Sequence, residues 1–154
     1  MPIYLQISNV PGESTEPGYV GQFVIGSISW GGSNDVVTGS NGDFTTSFTS
    51  VSVSKAATIS SPSLMLLMAN PRAIPTVVIT IAYQLDRRLA PSNIYTMSNA
   101  LLIGYTQSSG GGTPVEDLTF IFSGISYKQI AYRNTGDVAG SDTHFWDQTT
   151  NTGG

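Results

Sequence analysis

Gln22-Phe23-Val24-Ile25-Gly26-Ser27-Ile28-Ser29-Trp30 is the run that decides the fold class. Phe23 and Ile25 fall on one parity of the run, and Val24, Ile28 and Trp30 on the other. A strand sends alternate side chains to opposite faces. Apolar residues on both faces therefore predict a strand buried on two sides, by a core and by something else. The same period of two spreads outward from here. Ile3, Leu5 and Ile7 share a face before Pro11-Gly12 breaks the pattern, and Val51 and Val53 alternate within residues 49–54. Val77, Ile79, Ile81 and Tyr83 line one face of a later strand. Residues 94–105 and 118–132 read as a long hairpin around Ser108-Ser109-Gly110-Gly111-Gly112. By composition, residues 31–42 read as a loop, the long loop as a whole runs over residues 32–47, and residues 134–154, rich in Gly, Thr and Asp, read as a loop-rich tail.

One helix interrupts the strands. Ser61 stands where an N-cap belongs, and Pro62 occupies the first helical position, where its missing N–H costs nothing. Leu64, Met65, Leu67 and Met68 form an apolar stripe at helical spacing. Asn70-Pro71 ends it, because a residue before proline avoids helical geometry. Many short strands, frequent turn signals and one helix define a mainly β chain. The expectation is a two-sheet β-barrel or sandwich with one short flanking α-helix, in a single domain over residues 1–154.

The composition narrows the function. The 154 residues include six basic and ten acidic side chains, for a formal charge of −4, which argues against a broad nucleic-acid surface. Charged residues are only 10% of the chain, so little electrostatic repulsion keeps copies apart, and self-association follows as an expectation. No run approaches the ~18 apolar residues of a membrane span. Met1 to Gln6 lacks the basic start of a signal peptide, so synthesis in the cytoplasm and export by a signal-independent route are expected.

Candidate chemistry is sparse. With no Cys and a single His, His144, the usual zinc sets are unavailable. Asp137 and Asp142 bracket a Gly-containing segment without EF-hand spacing and read as solvated acids. Ser52-Val53-Ser54-Lys55 matches the S-x-x-K pattern, but an alternating strand sends Ser52 and Lys55 to opposite faces. Glu116-Asp117 would likewise diverge, and read as rim charges after the Gly-rich turn. Gly110-Gly111-Gly112 has neither the Lys nor the helix of a phosphate loop. No catalytic, cofactor-binding or metal-binding residue is assigned, and no cofactor is expected.

The order of landmarks says more. Met1-Pro2-Ile3-Tyr4-Leu5-Gln6-Ile7 leads into Pro11-Gly12-Glu13-Ser14 and then Ser27-Ile28-Ser29-Trp30-Gly31. Ser61-Pro62-Ser63-Leu64 follows, then Pro114-Val115-Glu116, Leu118-Thr119-Phe120 and Ser123-Gly124-Ile125-Ser126-Tyr127, and finally Trp146-Asp147 with Asn151. This ordered set, spanning nearly the whole chain, resembles the Hcp (haemolysin-coregulated protein) family of bacterial type VI secretion. Asn70-Pro71, where the family often leaves its helix through a Gly-Lys-like turn, is a departure. The resemblance implies a tube subunit without catalytic activity, forming homohexameric rings that stack inside a contractile sheath. It implies a spike protein and secreted effectors as further partners, secretion from the bacterial cytoplasm through the apparatus, and neither nucleic-acid binding nor membrane insertion. Its landmarks here are Gly12, Glu13, Ser14, Ser29, Trp30, Gly31, Trp146 and Asp147.

The stretch 32–47 reads on its own polarity as a mobile surface loop, whereas the resemblance makes it the family's extended loop, with its apolar residues Val36, Val37 and Phe44 as the expected contacts to a neighbouring subunit or ring; Arg87-Arg88 reads as a loop or interface pair. Trp30 and Trp146 read as core aromatics. The alternative is a monomeric carbohydrate-binding β-sandwich, with Tyr95, Tyr105, Tyr127 and Tyr132 exposed to stack on sugars.

Overall fold

A computed structural model describes residues 1–36 and 43–154 of the chain. In chain order the elements are β1 (Ile3–Ile7), β2 (Phe23–Ile25), β3 (Ser27–Ser29), β4 (Gly32–Val36), β5 (Phe44–Phe48), β6 (Val51–Ala56), α1 (Ser61–Ala69), β7 (Ile74–Leu85), β8 (Arg88–Ser108), β9 (Val115–Ile121), β10 (Gly124–Tyr132), β11 (Val138–Asp147) and β12 (Thr152–Gly153). Ten strands join in one antiparallel sheet, in the order β12-β11-β10-β8-β7-β1-β2, with β9, β6 and β3 branching from β8. The branch point is the length of β8. Its residues 93–98 pair with β10, and its residues 101–108 pair with β9. Asn99, at φ 49°, sits between the two stretches, opposite the Phe122-Ser123 break between β9 and β10. The expected long hairpin is present, with its second arm divided at that break.

The run 22–30 is divided too. β2 pairs with β1, whereas β3 pairs with β6, and the chain changes layers at Gly26, whose N–H donates to the Ser54 carbonyl (2.7 Å). Phe23 and Ile25 enter the core, Ile28 and Trp30 pack against it from the second layer, and Val24 stays exposed. The layer change explains the apolar residues on both parities without a second covering surface. β2 and β3 meet only through the chain, so the strands make a sandwich-like pair of layers and not a closed barrel.

Leu5, Ile7, Val51, Val53, Val77, Ile79, Met97, Leu102, Leu118 and Phe120 fill the space between the layers. Burying side chains of this size stabilises by about 1.5–3 kcal/mol each. A smaller cluster on the far side of the first layer stacks Tyr4 on Tyr19 (ring centroids 4.2 Å apart) beside Ala82. The register of β7 against β8 shifts between Ile81 and Ala82; Ile81 packs against the core, Ala82 is buried in the far-side cluster, and Tyr83 is exposed, against the expected shared face.

Helix α1 begins after Ser60 and ends at Asn70, whose N–H donates to the Leu66 carbonyl. Ser60 makes no side-chain cap. Ser61 instead accepts the Thr58 N–H (2.9 Å) and donates to Glu116. A nine-residue helix is marginal by itself, so burial of Leu64 and Leu67 holds this one, while Met65, expected in the stripe, is half exposed.

Residues 134–154 are not a loop-rich tail. β11 runs ten residues beside β10, and β12 folds back on its end. The described residues of the stretch 32–47 are likewise no open loop, because β4 and β5 pair from Gly32–Phe48 to Val36–Phe44.

Candidate assembly interface

The β4–β5 hairpin projects as a separate two-stranded sheet, and both distant groups of landmarks converge on its base. At the near side, Trp30 stacks against Phe48 (6.0 Å between centroids), and Thr49 donates to the Gly31 carbonyl through its backbone (2.7 Å) and its hydroxyl (2.8 Å). A Cβ on Gly32 would stand 2.9 Å from the Phe48 ring, so a side chain there would have to displace that ring. Ser29 pairs with Ser52 in the layer below.

From the far end of the chain comes a clamp. Asp147 accepts hydrogen bonds from the Thr149 N–H (2.8 Å) and hydroxyl (2.6 Å), which hold its carboxyl below the usual range and shape the turn after β11. That turn presents Gln148 and Asn151. Gln148 accepts the Phe48 N–H (2.9 Å) and donates to the Phe122 carbonyl (2.8 Å), tying the hairpin to the β9–β10 break. Asn151 accepts the Thr46 N–H (3.2 Å) and donates to the Phe44 carbonyl (3.1 Å). Trp146 lies 6.3 Å from Phe44, so part of the Phe44 ring is held by its own chain. Gln148 was not legible as a functional position, although the Asp147-x-Thr149 turn pattern before Asn151 was there to read.

Of the expected interface residues, Val36 and Phe44 face each other across the last described pair of the hairpin and are both exposed. Val37 lies outside the described residues. Arg87 and Arg88 belong to another region, the β7–β8 turn, where a shallow cavity of about 330 Å³ brings them beside Thr135-Gly136-Asp137 of the β10–β11 turn.

Gly12, Glu13 and Ser14 guard the edge of β2. Gly12 donates to the Gly21 carbonyl, Ser14 donates to the Gln22 carbonyl, and the Glu13 carboxylate accepts the outward Val24 N–H (3.1 Å). A Cβ on Gly12 would lie 2.4 Å from the Gln22 backbone, so a side chain would force this segment off the edge. The opposite end of the sheet is different. β12 and Gly154 cover Phe145, Trp146 and Asp147, leaving the outer edge of β11 open along its exposed residues 138–144.

The two acids placed at the rim by sequence separate sharply. Glu116 is fully buried, directly opposite Lys55 in the β6–β9 register. It forms an ion pair with Lys55 and accepts hydrogen bonds from the Ser61 (2.9 Å) and Tyr105 (2.5 Å) hydroxyls. Burial pushes its carboxyl up, and the bonds from Lys55, Tyr105 and Ser61 outweigh that and leave it below its ordinary value. Burial and the Glu116 carboxylate raise the Tyr105 phenol to about 12. Lys55 has no solvent-exposed side-chain surface, while Ser52 lies on the opposite parity of β6, so they form no shared site. Nor is there a tyrosine platform for sugars. Tyr95 is buried, Tyr127 stacks on it (4.8 Å), and Tyr132 donates to the Pro91 carbonyl (2.7 Å). No group of three or more His, Cys, Asp or Glu is placed to hold a metal among the described residues. No helix there is long and apolar enough to cross a membrane.

The fold is a sandwich-like β architecture with one projecting hairpin, one guarded sheet edge and one open edge. The family model for the type VI secretion system effector Hcp matches residues 4–129. The chain belongs to the Hcp family, whose members are structural tube subunits of that secretion system. Solved structures share its fold. One described as a type six secretion system protein has a TM-score of 0.88 at 20% identity over 99% of both chains. Hcp1 from Salmonella typhimurium has a TM-score of 0.81 at 17% identity over 99% of this chain and 97% of its own. Hcp2 from the same organism has a TM-score of 0.76 at 18% identity over 99% of both. No curated protein matches the chain.

Proposed function

We propose that six copies form a ring, that rings stack into a secreted tube, and that the tube carries or stabilises effectors within a sheath and beneath a spike protein. The chain works by assembly and passage, without turnover. It is made in the bacterial cytoplasm and leaves through the apparatus.

The open edge of β11 carries this reading. Natural edge strands are blunted by Lys, Pro, bulges or a covering segment, and β2 is treated in that way by Glu13. The β11 sequence contains neither Lys nor Pro, its register shift against β10 is confined to its start at residues 138–140, and it exposes Val138 and Phe145. A heterologous contact made by such an edge generates a closed ring when the rotation per subunit fits. Val36 and Phe44 on the hairpin, and Arg87 and Arg88 at the β7–β8 turn, are then contacts to adjoining subunits or rings.

Sedimentation velocity at tens of micromolar, with negative-stain imaging of the same sample, tests the ring. The expected result is a hexamer with a central hole. A monomer across that range would overturn the reading.

A further inference from the structure

We infer that the groove between α1 and the turn after β1 binds an extended, acidic segment of a partner protein, in which one carboxylate meets Arg72 and an apolar side chain packs on either side of it. This goes beyond the ring reading and does not depend on it.

Two cavities make the groove. One, of about 480 Å³, lies along α1 and is walled by Pro11, Ile59 and Leu66. The other, of about 430 Å³, runs on beside Ile74 and Pro75 at the start of β7. They share Asn9, Val10, Leu67 and Arg72, so Arg72 stands where the two meet. Ile59 is 94% exposed and Leu66 61%, and both line the first cavity, so its wall is apolar and uncovered.

The charge is one-sided as well. No acidic residue lines either cavity, and Arg72 is exposed and forms no salt bridge among the described residues. Lys55 does not repeat this combination, because it is buried against Glu116. Nor do Arg87 and Arg88, because Asp86 and Asp137 line their cavity. A guanidinium between two apolar pockets selects a carboxylate flanked by apolar groups. It offers a charge-assisted, bidentate bond that a neutral amide does not match, and the pockets supply the apolar burial. Asn9 and Asn70 line the same groove and bring amide donors and acceptors for a peptide main chain. In an extended segment alternate side chains share a face, so the matching pattern is apolar-x-acid-x-apolar.

No residue of the β4–β5 hairpin, the β7–β8 turn or β11 lines the groove. Assembly through those elements therefore leaves it free for a protein other than this chain.

Methyl NMR on the full-length chain, titrated with acetyl-Leu-Ala-Glu-Ala-Leu-amide, tests this. Saturable shifts are expected at the methyls of Val10, Ile59, Leu66 and Ile74, with those of Val36 and Leu118 unmoved. Replacing the peptide's Glu by Gln should weaken binding by about tenfold. Arg72→Gln should bind the two peptides alike, and, since Arg72 is exposed and outside any salt bridge, should unfold at the wild-type temperature. Leu66→Ser should weaken both peptides in equal proportion. The inference is overturned by the absence of saturable shifts at millimolar peptide, by equal binding of the Glu and Gln peptides to the wild type, or by a Glu preference that survives Arg72→Gln. Shifts at the same methyls that follow protein concentration without peptide would also overturn it and assign the groove to a second copy. A wild type that binds the peptide yet stays monomeric would overturn the ring reading alone. A ring that ignores the peptide would overturn the groove alone.

Discussion

Glu116 is where the physics of single residues is most demanding. A buried ion pair is costly to desolvate and still more costly to leave half-made, because removing one partner strands the other charge, a loss of about 3–5 kcal/mol. Glu116→Gln should therefore destabilise the chain by that order in urea unfolding, since Lys55 remains buried and charged. Lys55→Met combined with Glu116→Gln removes both charges, keeps one amide oxygen to accept from one of the Ser61 and Tyr105 hydroxyls and offers an N–H to the other, so it should recover much of the loss. A single-variant cost below about 1 kcal/mol would show that the two groups are not held as an ion pair. The pH dependence has a fixed sign. Glu116 is lowered from its ordinary value of 4.5, so its contribution is present above about pH 4.5 and is lost as pH falls through its folded value. Wild-type stability should fall more steeply below pH 4.5 than that of E116Q, and equal slopes would contradict the assignment. Sequence period could tell which face of β9 Glu116 occupies, but not how deep that face lies. Depth comes from α1 and β6 closing over it, and those are contacts from distant parts of the chain.

At the scale of elements, strands with one dry face were readable and the others were not. β6 shows its core in the alternation of Val51 and Val53, and Pro62 marks the start of α1. β11 has no such signature, because residues 138–145 are exposed and leave no apolar period to read. The division of 22–30 at Gly26 and the register shift after Ile81 were hidden for a related reason. Each redirects side chains while leaving the local composition of a strand unchanged. The hairpin was misread as a loop because Gly32-Ser33-Asn34-Asp35 is turn-like in composition. Its strand geometry is imposed by partners at the other end of the chain. Asn151→Ala tests that dependence. Amides at Thr46 and Phe48 should exchange hydrogen faster by about an order of magnitude, while β6 and β9 amides keep wild-type rates. The two hydrogen bonds lost are worth about 0.5–1.5 kcal/mol each, enough to loosen a two-stranded arm and too little to unfold the domain. Unchanged protection at Thr46 would mean the hairpin holds itself without the clamp.

At the scale of the whole molecule, the two ends of the large sheet are treated oppositely, and this asymmetry makes the assembly reading testable. Phe145 exchanges hydrogen bonds with Gly154 on the outer side of β11. Donors alternate along a strand, so the N–H groups of Thr143 and Ser141, two and four residues back, face the same open edge. The β10 side of β11 is served by the intervening residues. Thr143→Pro therefore deletes one outward donor and spares the internal ladder, and proline is tolerated at that kind of edge position. The variant is expected to unfold within a few degrees of the wild type and to sediment largely as monomer at concentrations where the wild type forms rings. A proline at the edge of β11 that still allows full ring assembly would show that the ring closes through side-chain faces, and the open strand edge would lose its role. A variant that fails to fold would be separated from one that fails to assemble by circular dichroism. Thr143→Lys, which keeps the backbone donor and places a charge on the same edge, then gives the second reading: assembly should weaken with the fold intact, and more so at low salt if like charges meet across the seam.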